Sequence, residues 1–506
     1  MTKLSDLSKG ALLSAGAKLL SKFIGLISTL ILARLLTPSD FGIIAAISIV
    51  LYFFDVFANV ATEQYIMQKK RLRISELNTA WSINVVLKSL ICLILICLSG
   101  LVASVLNKPE ITTGLLVVSL VLPLNALKSS SLLQQKRMVR YQGIFALGVT
   151  EKLIAFVVVI SSAILFKSFW SFIIADLVST AAGVLLSYSW FKKSPRFTFV
   201  DWRQQLSFSS WMLGKNMVGY LRSQADTFFV SRLFSVNSLG QYNLSRELAM
   251  MPGHYFLAPA IEPILSALRE TVHIRDYFFQ QIATALVITF FVTIPIAMFL
   301  SAFAQPITLL LLGEQWDMAG LLLSCLAWLV VYWGAVYVIE ISLIAQGKVK
   351  VLFVFDSFSL FCIVGALIYA AAISANVSDI ALYRVTTGSI TTLLLFLVMY
   401  LSHKTLGFIV SMWGACVLAL SLACAKLASF TANSLVNLSE QTTLLEIVLY
   451  IATAGISFFV PLLIGLGSEN FQTQGCFQNY FSNGSAVFYG SLEVKNASQE
   501  IRCASV

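Results

Sequence analysis

Charge is scarce in this chain. Only 11% of its 506 residues are Asp, Glu, Lys or Arg, while 58% are hydrophobic, a balance that excludes a soluble globular fold. Enzyme signatures are missing too. There is no P-loop, so no ATP is expected to be hydrolysed here, and no HExxH, G-x-S-x-G or Asp-rich phosphate-metal motif. Neither catalysis nor a cofactor or metal is therefore expected. The cysteines form no CxxC or Cys/His pattern: Cys92, Cys97, Cys325, Cys362, Cys416 and Cys424 lie in apolar runs, Cys476 and Cys503 near the end. They read as small packing residues. A cleavable leader is not indicated, because Lys18 and Lys22 interrupt its candidate apolar core and no A-x-A site follows.

What the chain has in abundance is apolar runs of about 20 residues, the length that crosses a hydrocarbon core. The runs predict helices over about 11–36, 40–62, 77–106, 111–133, 142–166 and 169–191, then 206–234, 238–261, 277–303, 318–345, 350–373 and 379–402. Two more, near 407–430 and 443–466, bring the expected total to about fourteen. The fold class expected is an all-α integral membrane protein: a six-helix bundle over 1–191, a cytoplasmic linker over 192–205, a second six-helix bundle over 206–402 and two additional helices within 403–467. The polar residues 468–506 read as a weakly ordered cytoplasmic tail. The net charge of +10 does not indicate nucleic acid, since the basic residues sit in short loops. Alternate loops hold clusters such as Lys69-Lys70-Arg71, Lys136-Arg137 and Lys192-Lys193, whereas the opposite set holds little beyond Lys108 and Lys167. That alternation predicts both termini in the cytoplasm, and the missing leader fits an inner-membrane protein whose first helix stays.

One figure occurs twice. Ala33-Arg34-Leu35-Leu36-Thr37-Pro38-Ser39-Asp40-Phe41-Gly42 is matched without a gap by Ser231-Arg232-Leu233-Phe234-Ser235-Val236-Asn237-Ser238-Leu239-Gly240. Arg34 falls on Arg232 and Gly42 on Gly240, and Gln134-Gln135-Lys136 has a counterpart in Gln346-Gly347-Lys348. An internal repeat means a duplicated bundle. The halves lie six spans apart, so they run the same way through the bilayer, related by an axis along its normal.

Charges also occur where they are expensive, since a Lys, Arg or Asp at the middle of a span costs about 2.5–3.5 kcal/mol on insertion scales. The first helix places Lys18, Lys22, Gly25 and Thr29 on one face, and the seventh does the same with Lys215, Gly219, Arg222 and Asp226. Two cationic stripes on duplicated helices predict a shared cleft between the halves, with Lys22, Lys88, Lys215 and Arg222 as anion-binding candidates. Lys128, Lys152 and Arg384 are further contributors, while Lys18 and Lys152, near helix ends, are able to snorkel. Acidic residues in apolar runs include Asp55, Glu151, Asp176, Asp226, Glu247, Glu262, Glu340, Asp356 and Glu446. Asp226 lies one turn after Arg222, which predicts an i,i+4 ion pair. Asp55 and Glu340 have no partner nearby in sequence; with Asp226 they are the candidates for a coupling proton or sodium ion, or for ion pairs. His254, beside Pro252-Gly253, reads as sitting at a break in the eighth helix.

The segment 33–42, together with Ala225-Asp226-Thr227-Phe228-Phe229-Val230-Ser231-Arg232-Leu233 and Leu239-Gly240-Gln241-Tyr242-Asn243, resembles the Wzx-type polysaccharide and lipopolysaccharide exporters. These belong to the multidrug/oligosaccharidyl-lipid/polysaccharide superfamily, near its colanic acid branch. The resemblance spans roughly residues 1–430; in the second turn this chain has Ser235-Val236 where the family usually has Gly-Pro. It implies movement of an undecaprenyl-pyrophosphate-linked oligosaccharide from the cytoplasmic to the periplasmic leaflet, for O-antigen, capsule or exopolysaccharide, with a polysaccharide polymerase and chain-length proteins as potential partners beside the lipid bilayer. A lipid II flippase shares the basic cleft and remains an alternative. A drug/cation antiporter of the same superfamily would want an acidic cavity instead. A non-transporting scaffold would leave the intramembrane charges without a role.

Overall fold

In the computed structural model the described residues are 4–58, 65, 66, 69, 72–138, 141–191, 194–207, 210–259, 261, 268, 271–373, 376–402, 404–435 and 444–467. The tail 468–506, with Cys476 and Cys503, lies outside them, as does Glu262. Among the described residues there are helices and no strand, as an apolar solvent demands, because a helix satisfies its backbone within its own segment.

The first half comprises α1 (Leu4–Leu35), α2 (Pro38–Ala58), α3 (Ile74–Leu106), α4 (Ile111–Val118), α5 (Val121–Ala126), α6 (Ser131–Arg137), α7 (Gln142–Phe166) and α8 (Trp170–Phe191). A short α9 (Trp202–Ser207) leads to the second half. That half holds α10 (Ser210–Leu233), α11 (Val236–Pro252), a π turn (Gly253–Leu257), α12 (Arg275–Ala302), α13 (Ala304–Leu311), α14 (Ala319–Leu326), α15 (Leu329–Ala345), α16 (Val349–Ala372) and α17 (Val377–Ser402). Last come α18 (Lys404–Leu435) and α19 (Leu444–Gly467). Among the described residues ten helices are long and apolar enough to span a membrane, or eleven if one bent pair counts as a single span. The expected fourteen also included α1, α10 and α11, which are not among these; α10 and α11 carry the polar and charged side chains discussed below. By contact the chain divides into two compact units, Met1–Ala415 and Cys416–Val506. In the second, Thr431 and Ser457 join their hydroxyls at 2.8 Å, and Tyr450 donates to Asn433 at 2.9 Å, tying α18 to α19.

The repeat is visible in the packing: α1 lies on α7 as α10 lies on α16, and α7 packs on α8 as α16 packs on α17. One expectation fails. The run 111–133 is not one helix but is broken between Ala126 and Ser131, with its two parts bent by 60°. Pro123, with no N–H of its own, loosens the ladder one turn earlier, where α4 gives way to α5; at the break itself neighbouring polar groups take over the freed backbone. Trp81 Nε1 donates to the Lys128 carbonyl at 3.0 Å, Tyr188 to that of Leu127 at 2.8 Å, and Ser187 Oγ accepts from the Ser129 N–H at 3.0 Å. The π turn after Pro252 is the expected break in the eighth predicted run.

The halves meet most closely where α2 crosses α11. The Thr37 turn is a reciprocal cap: Asp40 Oδ2 accepts from the Thr37 N–H at 3.1 Å, and Thr37 Oγ1 from the Asp40 N–H at 3.3 Å. Its counterpart uses a single hydroxyl, Ser235 Oγ accepting from the Ser238 N–H at 3.2 Å. Just inside these turns the two repeat glycines sit on each other's helix. A Cβ on Gly42 would lie 1.9 Å from the Val236 carbonyl oxygen, and one on Gly240 would lie 1.8 Å from that of Pro38. Pro38 and Val236 are themselves repeat equivalents, so the contact is reciprocal, and only Gly allows it.

The same end is laced by reciprocal hydrogen bonds to the C-termini of α1 and α10. Gln315 donates to the Leu36 carbonyl at 3.1 Å and Trp316 to that of Ala33 at 2.9 Å. Opposite them, Lys108 donates to the Phe234 carbonyl at 2.9 Å, and Phe234 is the repeat equivalent of Leu36. Arg34 reaches the Leu310 carbonyl of the second half, and Arg232 lies against the side-chain amide of Asn107 of the first. The repeat motif is thus an inter-half clasp, a role compatible with its cation-plus-glycine composition and one that orphan helix-end carbonyls call for.

Candidate functional site

The four cations chosen as anion-binding candidates, Lys22, Lys88, Lys215 and Arg222, each have a partner. Lys88 on α3 meets Asp55 on α2 at 3.0 Å and is only 6% exposed. Lys128 meets Glu151 on α7 at 2.9 Å. On α10, Lys215 pairs with Glu340 of α15, and Arg222 Nε lies 3.2 Å from Asp356 Oδ1 of α16. Lys22 donates to the His254 carbonyl in the π turn, and the Tyr255 hydroxyl donates back to the Lys22 carbonyl at 2.9 Å. The cations on α1 and α10 therefore do not converge on one another. Lys22 joins α1 to the second half, whereas Lys215 and Arg222 pair inside their own half. The side chain of Lys18 lies outside the described residues.

The expected i,i+4 pair of Arg222 and Asp226 is absent. Asp226 is fully buried and turns toward α11 and α17, where Arg246 Nε lies at 3.3 Å and Arg384 Nε at 3.6 Å, while the Tyr242 hydroxyl donates to it at 2.8 Å. Two arginines and a phenol offer the buried carboxylate more than one neighbour on its own helix surface could. Arg222, freed of Asp226, faces Asp356 instead and lies 5.8 Å over the Phe355 ring. Glu340 and Asp55 are likewise engaged in ion pairs, so all three carboxylates considered for ion coupling have cationic partners. Asp176 and Glu247, both exposed within the bundle, come within electrostatic reach of the Tyr52 hydroxyl.

Around α10, then, four cations (Lys215, Arg222, Arg246 and Arg384) meet three carboxylates (Glu340, Asp356 and Asp226). One positive charge exceeds what these acids balance. The exposure is uneven: Asp226 at 0% and Arg384 at 4% are structural, whereas Lys215, Arg222 and Arg246 each keep 17%. Arg222 Nε lies beside Asp356 without making a hydrogen bond to it, so the guanidinium keeps donors suited to a further anion. Arg246 also donates to Gln224 at 3.0 Å and Thr227 at 3.2 Å. Sequence reasoning passed over Arg246; the available signal was a charge one turn after Tyr242 in a helix predicted to span.

Outside the spans, Lys108 is nearly buried at 3% exposure, and burial pushes its ammonium below the usual lysine range against the opposing pull of Glu110. Lys69 shifts the other way, held protonated by its hydrogen bonds to Glu76 and Tyr65.

Comparison with known proteins places this geometry. A family model described as polysaccharide biosynthesis protein matches residues 31–321, more than half of the chain. The chain is 23% identical over 418 residues to the lipopolysaccharide biosynthesis protein WzxC of Escherichia coli K12, covering 80% of this chain and 83% of that protein. It is 25% identical over 301 residues to the succinoglycan biosynthesis transport protein ExoT of Rhizobium meliloti, covering 59% and 60%. Among solved structures, the lipid II flippase MurJ in an inward closed conformation superposes with a TM-score of 0.71 at 16% identity, over 90% of this chain and 99% of that one. An inward-facing multidrug transporter of the MATE family, from the MOP superfamily, gives 0.58 at 14% identity, over 76% and 95%. These two likenesses are of fold: paired helical bundles of multi-pass membrane transporters. With its duplicated bundle, its clasp of Arg34, Gly42, Arg232 and Gly240 and the family match that contains all four, the chain belongs to the polysaccharide biosynthesis protein family.

Proposed function

We propose that this protein moves an undecaprenyl-pyrophosphate-linked oligosaccharide from the cytoplasmic to the periplasmic leaflet of the bacterial inner membrane, by alternating access between its halves. The observation that carries the reading is the α10 cluster, with its surplus positive charge and the partly open guanidinium of Arg222. A pyrophosphate leaves water only for partners able to replace its hydration, and Arg does so with paired N–H donors. The carboxylates fit this role as placeholders. They keep the cations soluble in the empty site and yield to an anion of higher charge density, with Asp356 exchanged for a phosphate oxygen on Arg222. With both termini cytoplasmic, the clasped end faces the periplasm, and a cargo entering from the cytoplasm would reach α10 before that end opens. Energy is available without a coupled ion: outward movement of two negative charges is favoured by about 4–5 kcal/mol per 100 mV at about 2.3 per charge.

The test is a charge swap. Deletion of the gene should remove surface polysaccharide and leave lipid-linked repeat units in the inner leaflet. Complementation by Arg222→Asp should fail, and adding Asp356→Arg should restore protein level but not export, because the pair is rebuilt with its cation displaced. Full export from the swapped pair makes Arg222 structural and sinks the anion-binding reading.

A further inference from the structure

The two lateral seams between the halves differ. Along one, Lys22, Phe23 and Tyr255 close the gap, with the aromatic rings of Phe23 and Tyr255 6.0 Å apart. Along the other, α2, α3, α10 and α16 leave a cavity of about 530 Å³. The register that puts Arg34 on Arg232 puts Lys22 on Tyr220, so the open seam has a phenol where the closed one has a cation. Among the side chains lining this cavity only Tyr220 and Gln224 are polar, and both are engaged elsewhere. Tyr220 donates to the Ile49 carbonyl at 2.7 Å, and Gln224 accepts from Arg246 at 3.0 Å. Water finds no partner in such a space. The rim is unusually bare: Leu101 is 60% exposed, Phe361 76% and Phe228 43%. It opens beside the last turns of α3, and at about 1.5 Å per residue Ile49 places its depth roughly 16 Å along α2 from Pro38. The cavity is a slot into hydrocarbon, not a water pocket.

We infer that this slot holds the isoprenoid chain of an anionic polyprenyl lipid while its head engages the α10 cations. The inference rests on the proposed function and adds the path of the tail. Helix α10 presents the two requirements on adjacent faces: Leu221, Ala225 and Phe228 line the slot, while Arg222 faces Asp356. Gln224 joins them, one side in the wall and the other on Arg246. An amphiphile with its phosphate at Arg222 and Arg246 is therefore a few ångströms of chain away from an apolar exit, and the tail stays in hydrocarbon as the polar head crosses. A single chain suits one slot; a two-chain phospholipid would leave its second chain without a place.

The experiment uses the full chain in nanodiscs of phosphatidylethanolamine and phosphatidylglycerol. A polyprenyl phosphate with a diazirine in its chain is photolysed, and labelled peptides are mapped. Label is expected in 220–229 and 360–364, competed by unlabelled polyprenyl phosphate and not by the same excess of phosphatidylglycerol. Val364→Trp, which fills the slot from α16, should reduce that label roughly tenfold, about the transfer free energy of two methylene groups, and Leu360→Trp should do the same if Val364→Trp lowers the protein level. A chain-labelled phosphatidylglycerol that marks the same segments equally well overturns the assignment, because the slot would then take any lipid. So does polyprenyl label confined to other helices. Native mass spectrometry of polyprenyl phosphate binding to Arg222→Glu separates the two readings. Lost binding with no slot label in the parent protein leaves the head site standing and removes the slot. Retained binding with slot label intact removes the head site and keeps the slot.

Discussion

Alanine at Gly42 or Gly240 is the sharpest perturbation available. The added methyl would sit 1.9 Å from the Val236 oxygen or 1.8 Å from the Pro38 oxygen, against about 3.5 Å for relaxed contact. Both obstacles are backbone in helix first turns, so no rotamer change relieves them; the helices must part by about 1.5 Å. Overpacking of this kind costs about 1–3 kcal/mol, and it falls only on the conformation in which α2 and α11 touch. A penalty of that size moves a two-state equilibrium about 5- to 150-fold, toward the state open at the Thr37–Ser235 end. Spin labels at Leu35 and Leu233, equivalent and exposed positions at that end, would report the separation by pulsed dipolar spectroscopy in a background without other cysteines. Each alanine should broaden the distance distribution toward longer values and reduce export. The double substitution should fall short of additive, since both methyls load one contact. Unchanged distances and export in both single variants would refute the idea that this crossing holds the end shut.

Asp226→Asn should lower the amount of folded protein, because it takes away the carboxylate that faces the buried Arg384; breaking such a pair costs about 3–5 kcal/mol, readable as a fall in melting temperature of the purified protein. Lys88→Met with Asp55→Leu should be tolerated better than either change alone, and a double variant worse than both singles would show that the pair is more than structural. Reporters fused after Thr37 or Ser235 should read as periplasmic and after Lys193 as cytoplasmic; two on the wrong side would overturn the topology. Lys108 supplies a pH effect. Its pKa is lowered when buried in the clasp, so the open form binds more protons, and closure should strengthen as pH rises toward the ordinary lysine value. Lys108→Met should flatten that dependence in the same spin-label measurement.

The helices, their duplication and the family were legible because hydrophobic runs and a gap-free repeat are local features of sequence. The clasp was half legible: Arg34, Gly42, Arg232 and Gly240 stood out, but that each glycine rests on the other's helix needs two segments about two hundred residues apart to be placed together. The charge pairing was not legible. Asp226 had an apparent partner one turn away, and the actual ones, Arg246 and Arg384, come from helices whose contact with α10 no periodicity encodes. For the same reason the cations looked like a bare stripe; their acids, Glu340 and Asp356, lie more than a hundred residues downstream. The broken fourth run had no signal at the break itself, since Pro123 loosens only the turn before it; the bend depends on Trp81, Ser187 and Tyr188 catching the freed backbone.

The distances in sequence between these charged partners bear on how the protein is made. Helix α10 reaches the membrane with Lys215, Arg222 and Asp226 aboard, but Glu340 and Asp356 follow about 125 residues later and Arg384 later still. At about 5–20 residues per second, α10 waits roughly six to thirty seconds for its counter-charges. Each unmatched charge is costly at bilayer depth, so a newly made α10 is poorly held until α15 to α17 arrive. Insertion of the second half is then cooperative across more than a third of the chain. Truncation before α16 should leave α10 a target for membrane proteases, and the finished bundle safe from them.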